Sequence, residues 1–231
     1  EASQLNIKIG QRGRGEIVLE TFGKPCHSAN PEKGINAVYK MAKVIEAIRT
    51  LEPTHHPVLG DGILELTDIK SAPYPGASVV PEYCRATYDR RLLVGETKES
   101  VLAPIQELLD KLMAEDPQLK AKVSYAVGKE QCYTGNEITG ERFFPGWLYD
   151  EKDEFVQDVK KELESMGYTP EITQYNFCTN GSHYAGEAGI KTFGLGPSKE
   201  NLAHTVNEYI EIDQLTKVTD CYYGVMKALL K

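Results

Sequence analysis

Between Gly15 and Gly128 the chain spells strand, helix, strand, strand, helix, strand, and few folds accept that order. The first helix is predicted over Asn36 to Leu51. Ile35, Val38, Met41, Ala42, Ile45 and Ile48 recur there at helical spacing, which buries one face, and Pro53 closes it. Thr97 is the predicted N-cap of the second helix, with Glu99 in the first turn. Ser100 to Glu115 then sets Val101, Ile105, Leu108, Leu109 and Leu112 on one side, and Pro117 ends the run. Glu16–Phe22, Gly62–Ile69, Val79–Leu93 and Lys120–Val127 read as the four strands. This is the split βαβ, ferredoxin-like arrangement, an antiparallel four-stranded sheet with two helices on one face.

The flanks have another texture. Leu5–Ile9 alternates apolar and polar like a half-buried strand, and Gln11–Gly15 reads as a solvated Gly/Arg hinge. Cys132 to Leu148, with the chain's only Trp, Trp147, is expected to be an irregular aromatic loop. Lys152–Met166 is an amphipathic helix, and Thr169–Tyr175 a short strand. Cys178–Tyr184 is a polar turn into a short helix, and Ile190–Leu195 a buried strand. Asp213 is expected to cap a last helix running to Leu230. This α/β tail has too few strands for a sheet. Residues 1–11 can add one, which makes the middle of the chain an insertion. The expected division is 1–14, 15–128 and 129–231.

A net charge of -8 argues against nucleic acid or anionic lipid as partner. No apolar run is long enough to cross a membrane. Five scattered cysteines without a CxxC pair fit free thiols in a reducing cytoplasm. The chain begins at Glu1, in mid-strand by its pattern, which reads as a piece or cleavage product of a longer polypeptide.

Four places can carry chemistry. His204, just after the expected buried strand, is either a metal ligand with Glu208 orienting its ring, or a residue capping the final helix region. Asn180-Gly181-Ser182 is either an anion cradle of backbone N–H groups, with His183 as a possible base, or a plain turn. In Asp89-Arg90-Arg91 the arginines alternate faces, so one can grip a carboxylate while the other meets solvent. Structural ion pairing is the alternative. His27 sits in a long loop, Gly23–Ala37, stiffened by two prolines, although a lone loop His is more often a surface group than a catalyst. The tandem His55-His56 has no acid close in sequence and reads as surface.

Three motifs in order resemble the dinuclear zinc metallopeptidase and deacylase family of succinyl-diaminopimelate desuccinylase, acetylornithine deacetylase, aminoacylase and the glutamate carboxypeptidases. They are Gly-Lys-Pro-Cys-His-Ser-Ala-Asn-Pro-Glu-Lys-Gly-Ile-Asn-Ala from Gly23, Ser-Val-Val-Pro from Ser78 with Asp89-Arg90-Arg91 downstream, and Phe-Gly-Leu-Gly-Pro from Phe193 ahead of His204-Thr-Val-Asn-Glu208. Within that family the chain is also similar to hydrolases of the selenium-metabolism-linked branch.

The resemblance implies an incomplete α/β zinc-hydrolase domain interrupted by a ferredoxin-like dimerisation (lid) domain. It implies His204 and Glu1 as metal ligands, and His27 as a catalytic histidine reaching into a partner subunit's site. Arg91, Asn180, Gly181 and Ser182 are implied to bind substrate. The implied cofactor is a pair of zinc ions, with cobalt or manganese as substitutes, and the implied partners are a second copy and an N-terminal catalytic segment. The implied reaction is metal-assisted hydrolysis of N-acyl amino acids or short peptides. Ser78 departs from the asparagine many relatives carry there. The family's His-x-Asp, bridging Asp and Glu-Glu pair have no counterpart in the chain, so inactivity of the chain alone is expected. Two other readings stand beside it, a non-catalytic dimerisation or scaffold module with a relic site, and a ferredoxin-like small-molecule sensor.

Overall fold

The computed structural model describes residues 1–230. In chain order the elements are β1 (Ile7–Gln11), β2 (Gly13–Phe22), α1 (Ala37–Ile48), β3 (His55–His56), β4 (Gly60–Asp61), β5 (Ile63–Ala72), β6 (Tyr83–Leu92), α2 (Lys98–Glu115), β7 (Lys120–Tyr125), β8 (Val127–Gln131), β9 (Glu137–Glu141), β10 (Phe143–Phe144), β11 (Trp147–Leu148), α3 (Glu154–Ser165), β12 (Ile172–Tyr175) and α4 (Ile212–Leu229). The chain forms two compact units. Arg14–Phe143 is the inserted unit, and Glu1–Gly13 with the chain from Phe144 onward is the flanking unit.

In the inserted unit the sheet order is β7-β2-β6-β5. β2 pairs antiparallel with β7, and β5 with β6. Asn36 caps α1, its side chain accepting from the amides of Val38 and Tyr39. Ala37, Met41, Val44 and Ile48 then repeat along the buried face of α1. Thr97 and Ser100 form a reciprocal cap on α2, which buries Val101, Ile105, Leu109 and Leu112. Both faces share one core with Ile17 and Leu19 of β2 and Cys84, Ala86, Tyr88 and Leu92 of β6. Full burial of each large apolar side chain there contributes about 1.5–3 kcal/mol.

In the flanking unit β1 is the central strand, parallel to β12 and antiparallel to β11. The N-terminal strand thus completes the tail's sheet. Ile7 and Ile9 of β1 pack with Val156, Val159 and Leu163 of α3 and Cys221 and Ala228 of α4.

Several expectations need correction. Gln11 is not solvated: it is fully buried, and β1 and β2 leave only Arg12 between them. The stretch expected as an irregular loop begins within a regular hairpin, β8 paired to β9 from Val127↔Glu141 to Gln131↔Glu137. Its strands are largely exposed on both faces, so no hydrophobic alternation announces them. Ile190–Leu195 is not a strand. Only Gly194 bridges to Lys8, and Ile190 is exposed. Glu211, not Asp213, precedes α4, and it makes no side-chain cap; Asp213 pairs with Lys217 at 2.7 Å. His55 does have an acid beside it, since the β3–β4 pairing brings Asp61 Oδ1 within 2.6 Å of its Nδ1.

Candidate functional site

In the inserted unit the loop holding His27 is laced to the segment before β6. The amide of Ser28 donates to the Ser78 carbonyl at 3.0 Å, and the amide of Val80 to the Cys26 carbonyl at 2.9 Å. Farther along, the Gly23 amide donates to Glu82 and that of Ala37 to Pro81. Gly23 is required there, because a Cβ would strike the Ile35 carbonyl oxygen. Backbone hydrogen bonds thereby tie together two motifs some fifty residues apart. His27 itself is exposed, and its Nδ1 accepts from the Ala29 amide at 3.1 Å, which leaves Nε2 as the outward nitrogen.

The two arginines divide their roles. Arg90 is buried and ion-paired with Glu96, and it also donates to Thr54 Oγ1 and to the carbonyls of Ile63 and Arg91. It is structural. Arg91 lies on the opposite face of β6, 2.9 Å from Asp89, which also accepts from Arg14 at 2.9 Å. On that face an open depression is lined by Arg14, Glu16, Arg85, Thr87, Asp89 and Arg91. Nearby, burial and the hydrogen bond to Glu20 push the Tyr83 phenol up to about 12.

In the flanking unit one fully buried side chain organises the Cys178–Ser182 turn. Gln11 Oε1 accepts from the Thr179 amide at 3.0 Å and from its hydroxyl at 2.6 Å. Gln11 Nε2 donates to the Thr179 carbonyl at 3.2 Å and to Ser182 Oγ at 3.0 Å. The turn continues into a short, wide-turned helix, Ser182–Glu187. Of the two readings of Asn180-Gly181-Ser182, the plain turn is the one the hydrogen bonds favour. The amides of Gly181 and Ser182 donate back to Thr179, and the Ser182 side chain is fully buried. His183 is held by Glu187 at 2.9 Å, against the edge of Phe144.

A cavity of about 250 Å³ opens beside this turn, lined by Glu1, Trp147, Tyr175, Asn180, Gly181 and Phe193 among others. Trp147 is buried, and its indole N–H has no partner. Gly181 lies so close that a Cβ would sit 2.7 Å from that nitrogen. Burial, then the Glu1 carboxylate, push the Tyr175 phenol above its ordinary range, so it stays a neutral donor at physiological pH. Glu1, Asn180 and Gly181 are thus brought together. His204 does not line this cavity. It is exposed, with a left-handed backbone (φ +62°), and Glu208 accepts from its amide at 3.1 Å rather than from its ring. Gln11, Trp147 and Tyr175 carry no motif; only the uniqueness of the Trp hinted at one of them, and the Gly and Arg flanking Gln11 pointed the other way.

The donors do not make a metal centre. Among the described residues no group of three His, Cys, Asp or Glu side chains is placed to hold an ion. A catalytic zinc takes three protein ligands, and Glu1 and His204 supply two at most.

Residues 9–117 match the family model of the peptidase dimerisation domain. Over 211 residues the chain is 33% identical to the Escherichia coli K12 protein YgeY, covering 90% of the chain and 51% of that relative. The relationship is to the M20 peptidase family. A succinyl-diaminopimelate desuccinylase of Rhodopseudomonas palustris is 25% identical over 227 residues, 97% of the chain and 53% of its own length. The chain therefore spans about half the length of the curated relatives it matches. Aminopeptidase PepT from Bacillus cereus shares the fold with a TM-score of 0.72 at 20% identity, covering 100% of the chain and 56% of its own. Among the described residues, no helix is long and apolar enough to cross a membrane.

Proposed function

We propose that this chain acts as a dimerisation and scaffold module of the M20 type, one that holds a substrate-side turn but no metal centre of its own. The observation that carries this reading is the dimerisation-domain match combined with the absence of a three-ligand cluster among the described residues. The sheet order β7-β2-β6-β5 with two helices packed in one core supports reading the inserted unit, Arg14–Phe143, as a ferredoxin-like lid. Its outer strand, β5, exposes Ile63 and Ile69, and edge-to-edge pairing with a second copy is the contact we assign to it.

A second reading is favoured by Glu1, Asn180 and Gly181 sharing one cavity. In it the chain is the dimerisation and C-terminal part of an amide hydrolase acting on N-acyl amino acids or short peptides. His27 and Arg91 would then serve the substrate, and Glu1 and His204 would join a zinc centre completed by other polypeptide. The chain's own donors do not fit such a centre, so no reaction step is assigned to it.

Sedimentation, zinc calorimetry and assays on N-acetyl and N-succinyl amino acids separate the two. The scaffold reading expects a dimer, no tight stoichiometric zinc and no turnover. Tight zinc and amide hydrolysis that arise only when polypeptide completing the centre is added favour the second reading, and hydrolysis by the chain alone at stoichiometric zinc overturns both.

A further inference from the structure

The inserted unit holds a cavity of about 350 Å³ between the C-terminal end of α1 and the first turns of α2. Ile48, Leu51, Leu64, Val101 and Ile105 supply apolar walls. Arg90 and Glu96 also line it, and they are already paired with each other. Glu96 accepts from Arg90 and Thr54 through Oε1, and from the Leu93 amide at 2.8 Å through Oε2. Arg90 donates besides to the carbonyls of Ile63 and Arg91. A charged visitor would therefore have to break an existing pair. The face of β6 that carries Arg91 takes no part in this cavity.

One polar group on the wall has lost its partner. Pro104 stands well inside α2. A proline has no N–H, so the Ser100 carbonyl, one turn earlier, lacks the donor that closes a helical turn. Ser100, Val101, Pro104 and Ile105 all line the cavity, so the gap in the helix borders that space. It sets a backbone acceptor into an apolar wall, and such an acceptor calls for a donor. Apolar cavities of this size with a few fixed polar groups suit small molecules. We propose that this cavity binds, without metal, a neutral and mainly apolar small molecule bearing one O–H or N–H donor, which meets the Ser100 carbonyl. The site goes beyond both readings above, because it requires neither a second copy nor a zinc centre.

The test titrates the full chain at neutral pH with indole, with benzofuran, which keeps the shape and lacks the donor, and with naphthoate, which adds a charge. Binding is followed by methyl NMR. Indole is expected to give saturable shifts at Ile48, Val101 and Ile105, while Ile7, Val156 and Val159 in the flanking core stay unmoved. Benzofuran should bind about fivefold more weakly, the worth of one hydrogen bond. Naphthoate should bind more weakly than either. Pro104→Ala restores an N–H to the helix, so it should raise the melting temperature and erase the preference for indole over benzofuran. No saturable shift at those three residues overturns the proposal, as does equal affinity for indole and benzofuran in the native chain. A preference that survives in Pro104→Ala removes the Ser100 carbonyl from the site and overturns it too. Tightest binding of naphthoate would mean that Arg90 leaves Glu96 for a ligand, which overturns the neutral class. Shifts of the same methyl groups with chain concentration alone assign the cavity to a second copy and overturn the small-molecule site.

Discussion

Gln11 Oε1 and Nε2 between them hold the amide, hydroxyl and carbonyl of Thr179 and the hydroxyl of Ser182. Replacing the side chain leaves several buried polar groups without partners, which costs far more than one lost hydrogen bond. Gln11→Leu is expected to destabilise the flanking unit by about 2–4 kcal/mol, seen in urea melts, and to speed amide exchange across Cys178–Ser182. Tyr83 gives a pH signature of opposite character. Its phenol is harder to ionise folded than unfolded, because it is partly buried and donates to Glu20 at 2.7 Å. That contribution is complete below pH 10 and is lost as pH rises toward about 12. Tyr83→Phe should flatten this part of the alkaline stability profile, followed by circular dichroism between pH 9 and pH 12.

At the scale of elements, both helices and four strands of the inserted unit were legible because each repeats its own period against one shared core. Met41, Val44 and Ile48 recur as a helix requires, and Cys84, Ala86 and Tyr88 as a strand does. Asn36→Ala is expected to cost about 1 kcal/mol through two lost capping bonds, measurable by thermal unfolding. Other elements were not legible, for physical reasons. The β8–β9 hairpin buries little, so it leaves no alternation. Ile190, Phe193 and Leu195 look like strand residues, yet that segment answers to one bridge at Gly194. At Asn180-Gly181-Ser182 the residue types admit an amide cradle or a plain turn, and the deciding contact is local: Thr179 takes two of the amides. Gly181→Ala forces a methyl group onto a rigid indole rather than a flexible chain end. A loss of about 1–3 kcal/mol is expected, with the Ser182–Glu187 helix displaced in a crystal structure of the variant.

For the whole molecule, the two units answer different questions and can be probed apart. The scaffold reading places self-association on β5, so Ile69→Lys should raise the dimer dissociation constant about tenfold or more, measured by analytical ultracentrifugation. The flanking unit should keep its own fold in that variant, because β1, α3 and α4 build a separate core. Trp147 adds a practical consequence. It is the chain's sole tryptophan, it lines the cavity beside Gly181, and its N–H is buried without an acceptor. Its fluorescence therefore comes from one place, and that place is the wall of the candidate site. A carbonyl, a carboxylate or a docking polypeptide that shifts the turn will change the colour of that emission, so candidate ligands can be screened on the native chain with no label attached.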